Sequence, residues 1–511
     1  MVSAEEYKHL SKMNKMRYSV VSSGWTACIL LLGGCSGFVK PDPLPDIIFI
    51  LADDMGYGDI SCLNPESKIR TPHIDGIGER GVRFTDAHSS SAVCTPTRYS
   101  LLTGQYSWRT TLKKGVLNGY SPALIPAGRT TMAGMLKSRG YHTACIGKWH
   151  LGWDWHNVEK GADSVDFSRP VKNGPVDRGF DYFYGFSGSL DMPPYVYVEN
   201  NMPTALPDRR VKGNNAPVGS PDYTGAFWRE GPTGSDFDFE ACLPNLTKRA
   251  VQYIDERSSS GQPFFLYFPL PAPHTPILPS GEFEGSSGIN PYADFVIMVD
   301  WVAGEIVKAL ERNGRLQNTL LVFTADNGCS PWADFQTLNK KGHWPGFIYR
   351  GHKADLYEGG HRIPCVVQWP ERISTPGILS QTICLNDFMR TFGELSGYTF
   401  KPGEAEDSFS LLPVLTGNNL KAVVRETVVH HSINGDFAIR KGSWKLLKSP
   451  GSGGWSFPRP GKESEGLPVM QLYHLGDDPG ETTNLFDSFP GVAEELNHEL
   501  ERIMDSGCER R

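Results

Sequence analysis

The sequence predicts an α/β fold: a large mixed, mostly parallel sheet flanked by helices, followed by a smaller C-terminal antiparallel-sheet subdomain. Three observations carry this expectation. Strand-like apolar runs alternate with helix-like ones up to about residue 390, the pattern of strand-helix-strand crossovers. Four of those strand-like runs end on charged or polar residues. From about residue 396 the texture changes to short strand-like pieces broken by turns.

The first strand is expected over 47–51 and runs into Asp53 and Asp54, and the next, over 143–146, runs into Lys148 and His150. A third over 264–268 leads to His274, and a fourth over 320–323 to Asp326 and Asn327. In open α/β sheets ligands bind outside the carboxyl ends of the strands, so these four ends point to one shared site. Helices are expected over 131–139, stopped by Gly140, and over 294–311, where Phe295, Met298, Val299, Val302 and Ile306 keep helical spacing. In the last part, short strands are expected over 427–431, 436–439, 444–447 and 471–473, with a Gly/Ser/Pro-rich patch at 449–464 and an amphipathic helix at 492–504.

A length of 511 residues allows two to four structural units, and 39% hydrophobic with 21% charged residues is an ordinary globular composition. Fifty Lys plus Arg against 57 Asp plus Glu give a net charge of −7, which argues against non-specific nucleic-acid binding and leaves anion recognition to a local basic cluster. Lys8, Lys12, Lys15 and Arg17 precede an apolar stretch over 20–32 that ends Leu32-Gly33-Gly34-Cys35. This reads as a lipoprotein-type signal over 1–34 with Cys35 as the mature N-terminus; an uncleaved anchor or a start at Met13 or Met16 are the alternatives. The expected product is exported, a periplasmic or cell-surface lipoprotein of a bacterium that touches membrane only through that anchor. A main domain is expected over 44–395 and an α+β subdomain over 396–511. The eight cysteines after Cys35 show no CxxC pair and no metal-type spacing.

Asp53, Asp54, Asp326 and Asn327 are hard oxygen donors, and gathered in one crevice they suit Ca²⁺ or Mg²⁺ better than zinc. In Cys94-Thr95-Pro96-Thr97-Arg98, with Gly104 six residues further on, the cysteine falls at a helix start with Pro in the first turn and Gly at the end. A helix N-terminus with Arg98 one turn along suits an anionic substrate.

These motifs occur in the order found in type I sulfatases of the alkaline-phosphatase superfamily, which the chain resembles over nearly all its length after residue 44. The resemblance rests on Leu51-Ala52-Asp53-Asp54-Met55-Gly56-Tyr57-Gly58-Asp59, the Cys94 motif, the segment 147–152 around Lys148 and His150, Pro273-His274, the segment 324–328 around Asp326 and Asn327, and 353–364 from Lys353 to Pro364. It implies that Cys94 is oxidised by a sulfatase-maturation enzyme to formylglycine, whose hydrate is the nucleophile. It implies one Ca²⁺ on Asp53, Asp54, Asp326, Asn327 and the residue formed from Cys94, Arg98 steadying the hydrate, and Lys148 and Lys353 on sulfate oxygens. His150 would act on the hydrate hydroxyl, and His274 with Lys353 on the departing oxygen. A further sulfate-contacting residue is one of Ser187, Ser189 and Asp191. Thr97 departs from the family's more frequent Ser.

Sulfuryl transfer asks mainly for positioning and for positive charge beside the oxygens that gain charge, which this set supplies. The substrate implied is an O-sulfate on a sulfated carbohydrate, with Arg350, His352 and Asp191 as sugar contacts and aromatic faces in 191–197 and 342–352. A phosphonate monoester or phosphodiester hydrolase of the same superfamily, or an inactive sugar-binding surface protein, are the alternatives. A binding module has no use for a nucleophile together with a metal.

Overall fold

The computed structural model describes residues 43–157, 164–216, 227–417 and 422–510; the signal expected over 1–34, with Cys35, lies outside them. The strands predicted from apolar runs are present and one to three residues longer: Asp46–Ala52, His142–Lys148, Phe264–Pro269 and Thr319–Ala325. Each is buried along its length apart from half-buried His142, which explains why they read as continuous apolar runs rather than alternating ones.

Together with Tyr182–Phe186 they form the parallel centre of the main sheet, in the order Thr319–Ala325, Asp46–Ala52, Phe264–Pro269, His142–Lys148, Tyr182–Phe186. Parallel neighbours end at one edge, and the register brings those ends level: Ala52 pairs with Ala325 and Lys148 with Phe186. Cys365–Gln368 and Val82–Phe84 extend one side antiparallel to their inner neighbours, so the sheet is mixed.

Two helix groups cover the sheet. Pro72–Glu79, Cys242–Ser258 and Pro291–Arg312 pack together, and Cys94–Thr103, Met132–Ser138 and Asp387–Leu395 form the other group. From the second group Phe388 meets Phe49 of the central strand edge-on at 5.1 Å. Side-chain caps fix two of the helix starts: Thr131 Oγ1 accepts from Gly134 N at 3.0 Å and Asn290 Oδ1 from Ala293 N at 3.0 Å.

The C-terminal part is a meander of Thr427–His431, Phe437–Lys441, Trp444–Leu447 and Gln471–His474. The last helix, Pro490–Asp505, lays Ala493, Leu496, Leu500 and Ile503 on Val429, Ile439, Leu446 and Leu472 of that sheet. Among the described residues no helix is long and apolar enough to cross a membrane.

Candidate active site

Cys94 is the first residue of the helix Cys94–Thr103, preceded by extended Val93 and closed by Gly104 in the left-handed conformation at φ 66°. The whole helix is buried, so its polar side chains must find partners. Thr97 Oγ1 donates to Ser91 O at 2.9 Å, and Arg98 donates to Asp326 Oδ2 from Nε at 3.0 Å and Nη2 at 2.8 Å, and to Lys148 O at 3.2 Å. Cys94 is 2% exposed, and burial pushes its thiol up to about 11 against the pull of Lys148 and Lys353.

The level strand ends bring the predicted oxygen donors together. Asp54 N donates to Asp326 Oδ1 at 3.2 Å, and Asn327 Nδ2 donates to Asp54 Oδ1 at 2.7 Å. Each carboxylate also has a cation: Lys148 Nζ is 2.5 Å from Asp53, Lys353 Nζ 2.7 Å from Asp54, and Arg98 Nη2 2.8 Å from Asp326. Burial pushes the Asp53 carboxyl up, but Lys148, His274, Arg98 and Lys353 outweigh it and hold the group well below the carboxylate range. At Asp326, burial and the charge of Asp53 win, raising it to about 7.

Two acceptors in this nest, Asp53 Oδ1 and Asn327 Oδ1, are buried and take no hydrogen bond. Ligand atoms of Asp53, Cys94 and Asp326 lie within 4.8 Å of one another, as do those of Asp53, Asp54 and His274. Unpaired hard oxygens beside carboxylates fit a divalent Ca²⁺-type or Mg²⁺-type ion. Asp54 at φ 66° and His150 at φ 53° are both left-handed, and strain of roughly 1–3 kcal/mol at such residues persists only where the surroundings fix it.

The residues expected to face sulfate sit around that nest. Ser189 Oγ is 3.2 Å from Lys148 Nζ and 3.3 Å from both His274 nitrogens, and of the three polar residues left open by the sequence it alone links the two. Ser187 Oγ has no partner, while its carbonyl accepts from His150 N at 2.9 Å. His274 Nδ1 donates to Thr275 O at 2.6 Å, leaving Nε2 toward Asp54 at 3.5 Å. His150 Nε2 donates to Leu117 O at 2.7 Å, so its buried, unpartnered Nδ1 is a bare acceptor. Burial and Lys148 hold this imidazole well below its ordinary range.

The expected sugar contacts are placed differently. Arg350 donates to Glu481 O at 2.7 Å and lies over the Tyr357 ring at 3.9 Å, which makes it a tie to the C-terminal part rather than a free donor. His352 packs against Phe335 with its Nδ1 on Lys353 O at 3.0 Å. The aromatics of 191–197 also face inward, Tyr195 being 1% and Tyr197 2% exposed, whereas Trp344 is 47% exposed. Asp191 is buried with one oxygen 4.0 Å from His274 and the other paired with Arg229, a half-exposed residue that the sequence reading did not select. Also unselected was the support of the Asp54 turn, where Asp59 accepts from Gly56 N at 2.7 Å, His343 Nε2 at 2.8 Å and Tyr292 Oη at 2.5 Å.

Comparison with known proteins gives the family of the chain. A family model described as Sulfatase matches residues 45–398. The N-acetylgalactosamine-6-O-sulfatase of Bacteroides thetaiotaomicron is 33% identical over 93% of this chain and 97% of its own length. Human arylsulfatase A is 29% identical over 93% of this chain and 89% of its own. A solved structure from Bacteroides thetaiotaomicron, from work on its metabolism of multiple glycosaminoglycans, aligns with a TM-score of 0.78 at 32% identity over 90% of this chain and 99% of that one. With a match spanning the main sheet and every strand end that builds the site, the chain belongs to the sulfatase family and is a sulfuric ester hydrolase.

Proposed function

We propose that the chain removes O-sulfate from a sulfated saccharide, with Cys94 converted to formylglycine and one Ca²⁺ held by Asp53, Asp54, Asp326 and Asn327. The observation that carries this reading is the gathering of two lysines, two histidines and Ser189 around Cys94 and a nest of oxygen donors with unpaired acceptors. Formylglycine at position 94 would supply a hydroxyl nucleophile, and a bound Ca²⁺ would supply positive charge beside the sulfate oxygens.

The rest falls to side chains of the chain itself. Lys148 and Lys353 are buried point charges, suited to hold sulfate oxygens in a water-poor site where each charge acts strongly. His150, neutral and with Nδ1 bare, is the acceptor for a hydroxyl proton. His274 keeps Nδ1–H on Thr275, so Nε2 is the atom that can deliver a proton to the departing oxygen. Because Cys94 is 2% exposed inside a helix start, conversion by a maturation enzyme must precede folding.

The similarity to an N-acetylgalactosamine-6-O-sulfatase over almost the full length of both chains supports a 6-O-sulfated N-acetylhexosamine as the first substrate to test. Sulfate release should be measured on 6-O- and 4-O-sulfated N-acetylgalactosamine, on 6-O-sulfated N-acetylglucosamine, on 4-nitrophenyl sulfate and on an aryl phosphonate. Release from a 6-O-sulfated amino sugar above all others supports the reading. Cleavage of the phosphonate alone, or unmodified Cys94 in fully active protein by peptide mass spectrometry, overturns it. Processing at Cys35, which the leader reading expects of an exported lipoprotein, is read by mass spectrometry of the mature N-terminus.

A further inference from the structure

Beneath the segment that leads into Cys94, a second cluster of buried ionisable groups joins the main sheet to the C-terminal sheet. Asp86 and His88 come from the main-sheet side, Glu358, His361 and Arg362 from the short helix Glu358–His361 and its end, and His430, Arg440 and Lys445 from the C-terminal strands. Asp86 pairs with Arg362 at 2.7 Å and Arg440 at 2.5 Å, Glu358 with Arg362 at 2.7 Å and Lys445 at 3.0 Å, and Lys445 with Glu481 at 2.8 Å. Three imidazoles lie in the middle of this network of three acids and three fixed cations.

Nitrogens of His88, His361 and His430 lie within 4.8 Å of one another, a spacing that would suit a transition metal. The geometry speaks against one. His361 stacks face to face on His430 with centroids 3.5 Å apart and planes 12° apart, so their in-plane lone pairs run parallel and do not converge. Arg440 Nη1 is 3.0 Å from His88 Nε2 and Lys445 Nζ 3.1 Å from His361 Nε2, where they would repel a bound cation.

The hydrogen bonds instead suit neutral rings in the stack. His430 Nδ1 donates to Ser89 O at 3.1 Å, which leaves its buried Nε2 bare and unpartnered. A proton there would have no acceptor and would place a charge against His361, with His88 and Lys445 also near. His361 and His88 share one proton between Nδ1 atoms 3.1 Å apart, and His361 Nε2 meets Leu356 O at 3.0 Å. The backbone of the segments carrying the stack also holds the chain before Cys94: Ser89 N donates to His361 O at 2.8 Å, and Ala92 N to the carbonyl of His431, next to His430, at 3.0 Å.

We propose that the His361–His430 stack positions the segment 89–94, and with it Cys94, and lets the segment go when the stack gains a proton. His430 is then a positioning residue for the sulfatase reaction, and its role rests on the reading of position 94 as the reacting residue. Burial, the neighbouring imidazoles and Lys445 hold both histidines well below the ordinary imidazole range, with Glu358 opposing. A folded-state value below the unfolded one means that stability is fully present above about 6.5 and is lost as the pH falls. By about pH 5 each histidine that must stay neutral shifts the equilibrium roughly 30-fold toward the loosened state.

Hydrogen exchange of the metal-loaded wild-type enzyme, corrected for intrinsic rates, tests this directly. Segment 89–94 should open at least about 10-fold more at about pH 5 than at about pH 7.5, while the strand Asp46–Ala52 stays protected. His430→Asn keeps a donor for Ser89 O but cannot titrate in this range, so it should retain kcat on 4-nitrophenyl sulfate within about 3-fold at neutral pH and show a smaller acid response of exchange in 89–94 than the wild type, His361 alone being left to titrate in the stack. His430→Phe keeps the stack without the donor, so kcat should fall about 10-fold with KM little changed. Unchanged wild-type exchange in 89–94, a uniform change across the sheet, or an acid response of exchange in His430→Asn as large as that of the wild type overturns the proposal. Exchange in the wild type decides even if neither variant folds. An intact exchange response in a protein that cleaves no sulfate ester would instead sink the reading of position 94.

Discussion

Cys94 sits where its own packing matters little and its neighbours matter a great deal: 2% exposed, first in its helix, with Lys148 and Lys353 acting on its thiol. Cys94→Ala should therefore abolish sulfate release, while the loss of one buried sulfur costs about 1 kcal/mol of stability. A circular-dichroism melt alongside the assay checks both, and a collapse of the fold would show that the residue's role is packing. Arg229 is the better candidate for a sugar contact than Arg350, because it is half exposed and pairs with Asp191 next to His274. Arg229→Ala is expected to lower kcat/KM on a sulfated amino sugar by about 10- to 100-fold and to spare 4-nitrophenyl sulfate; equal losses on both would put Arg229 in the chemistry. Proximity in sequence to Lys353 pointed to Arg350, but its guanidinium is taken up by the Tyr357 ring close by and by Glu481 O more than a hundred residues further along the chain.

What was legible at the scale of elements were the strands whose polar ends follow directly in sequence. Ala52 to Asp53 and Ala325 to Asp326 are single steps, so a buried apolar run announces both the strand and the ligand. The strand Tyr182–Phe186 was not expected, and with it the position of Ser189 beside Lys148 and His274 stayed hidden, because it follows the pairing of Gly147 with Gly185 across strands. The histidine cluster was equally hidden, since His88, His361 and His430 come from three distant segments. Gly147 shows how tightly this edge is built: it lies at φ 129°, and a Cβ there would stand 2.0 Å from Pro269 O. Gly147→Ala must part His142–Lys148 from Phe264–Pro269 just before Lys148, so kcat should fall by at least about 10-fold, a misplacement effect on the reacting groups. Leu500→Ala is the contrasting change, far from the site and buried between helix and sheet. It should cost about 2–5 kcal/mol of stability and leave kcat unchanged in protein that remains folded. Thermal melts and steady-state kinetics on both variants separate the two, and a normal kcat in Gly147→Ala would show that the edge can relax.

For the whole molecule, the site is a convergence of residues separated by hundreds of positions, from Asp53 to Lys353, and only the folded chain assembles it. An ion bound there would tie the strand Asp46–Ala52 to Thr319–Ala325 and would have nothing comparable to hold in the unfolded chain, so its binding would raise stability by mass action. The size of that effect follows from two magnitudes. At a hundredfold excess over Kd, binding contributes about 2.7 kcal/mol, and a chain of this length unfolds with an entropy near 1 kcal/mol/K. Removing the ion should then lower Tm by about 3 °C, not unfold the protein, because Lys148, Lys353 and Arg98 each pair with one of the three carboxylates and limit their repulsion. Activity should be lost with the ion and return with Ca²⁺. Asp326→Asn removes one charged donor, so its Tm should no longer respond to Ca²⁺ at the same concentration, whatever its absolute value after Arg98 loses its partner. Calorimetry with chelator and with added Ca²⁺, run on both proteins with sulfate release measured in parallel, makes the comparison. A wild-type enzyme that keeps its Tm and its turnover after exhaustive chelation would show that these oxygens are held by Lys148, Lys353 and Arg98 alone and that the reaction runs without an ion.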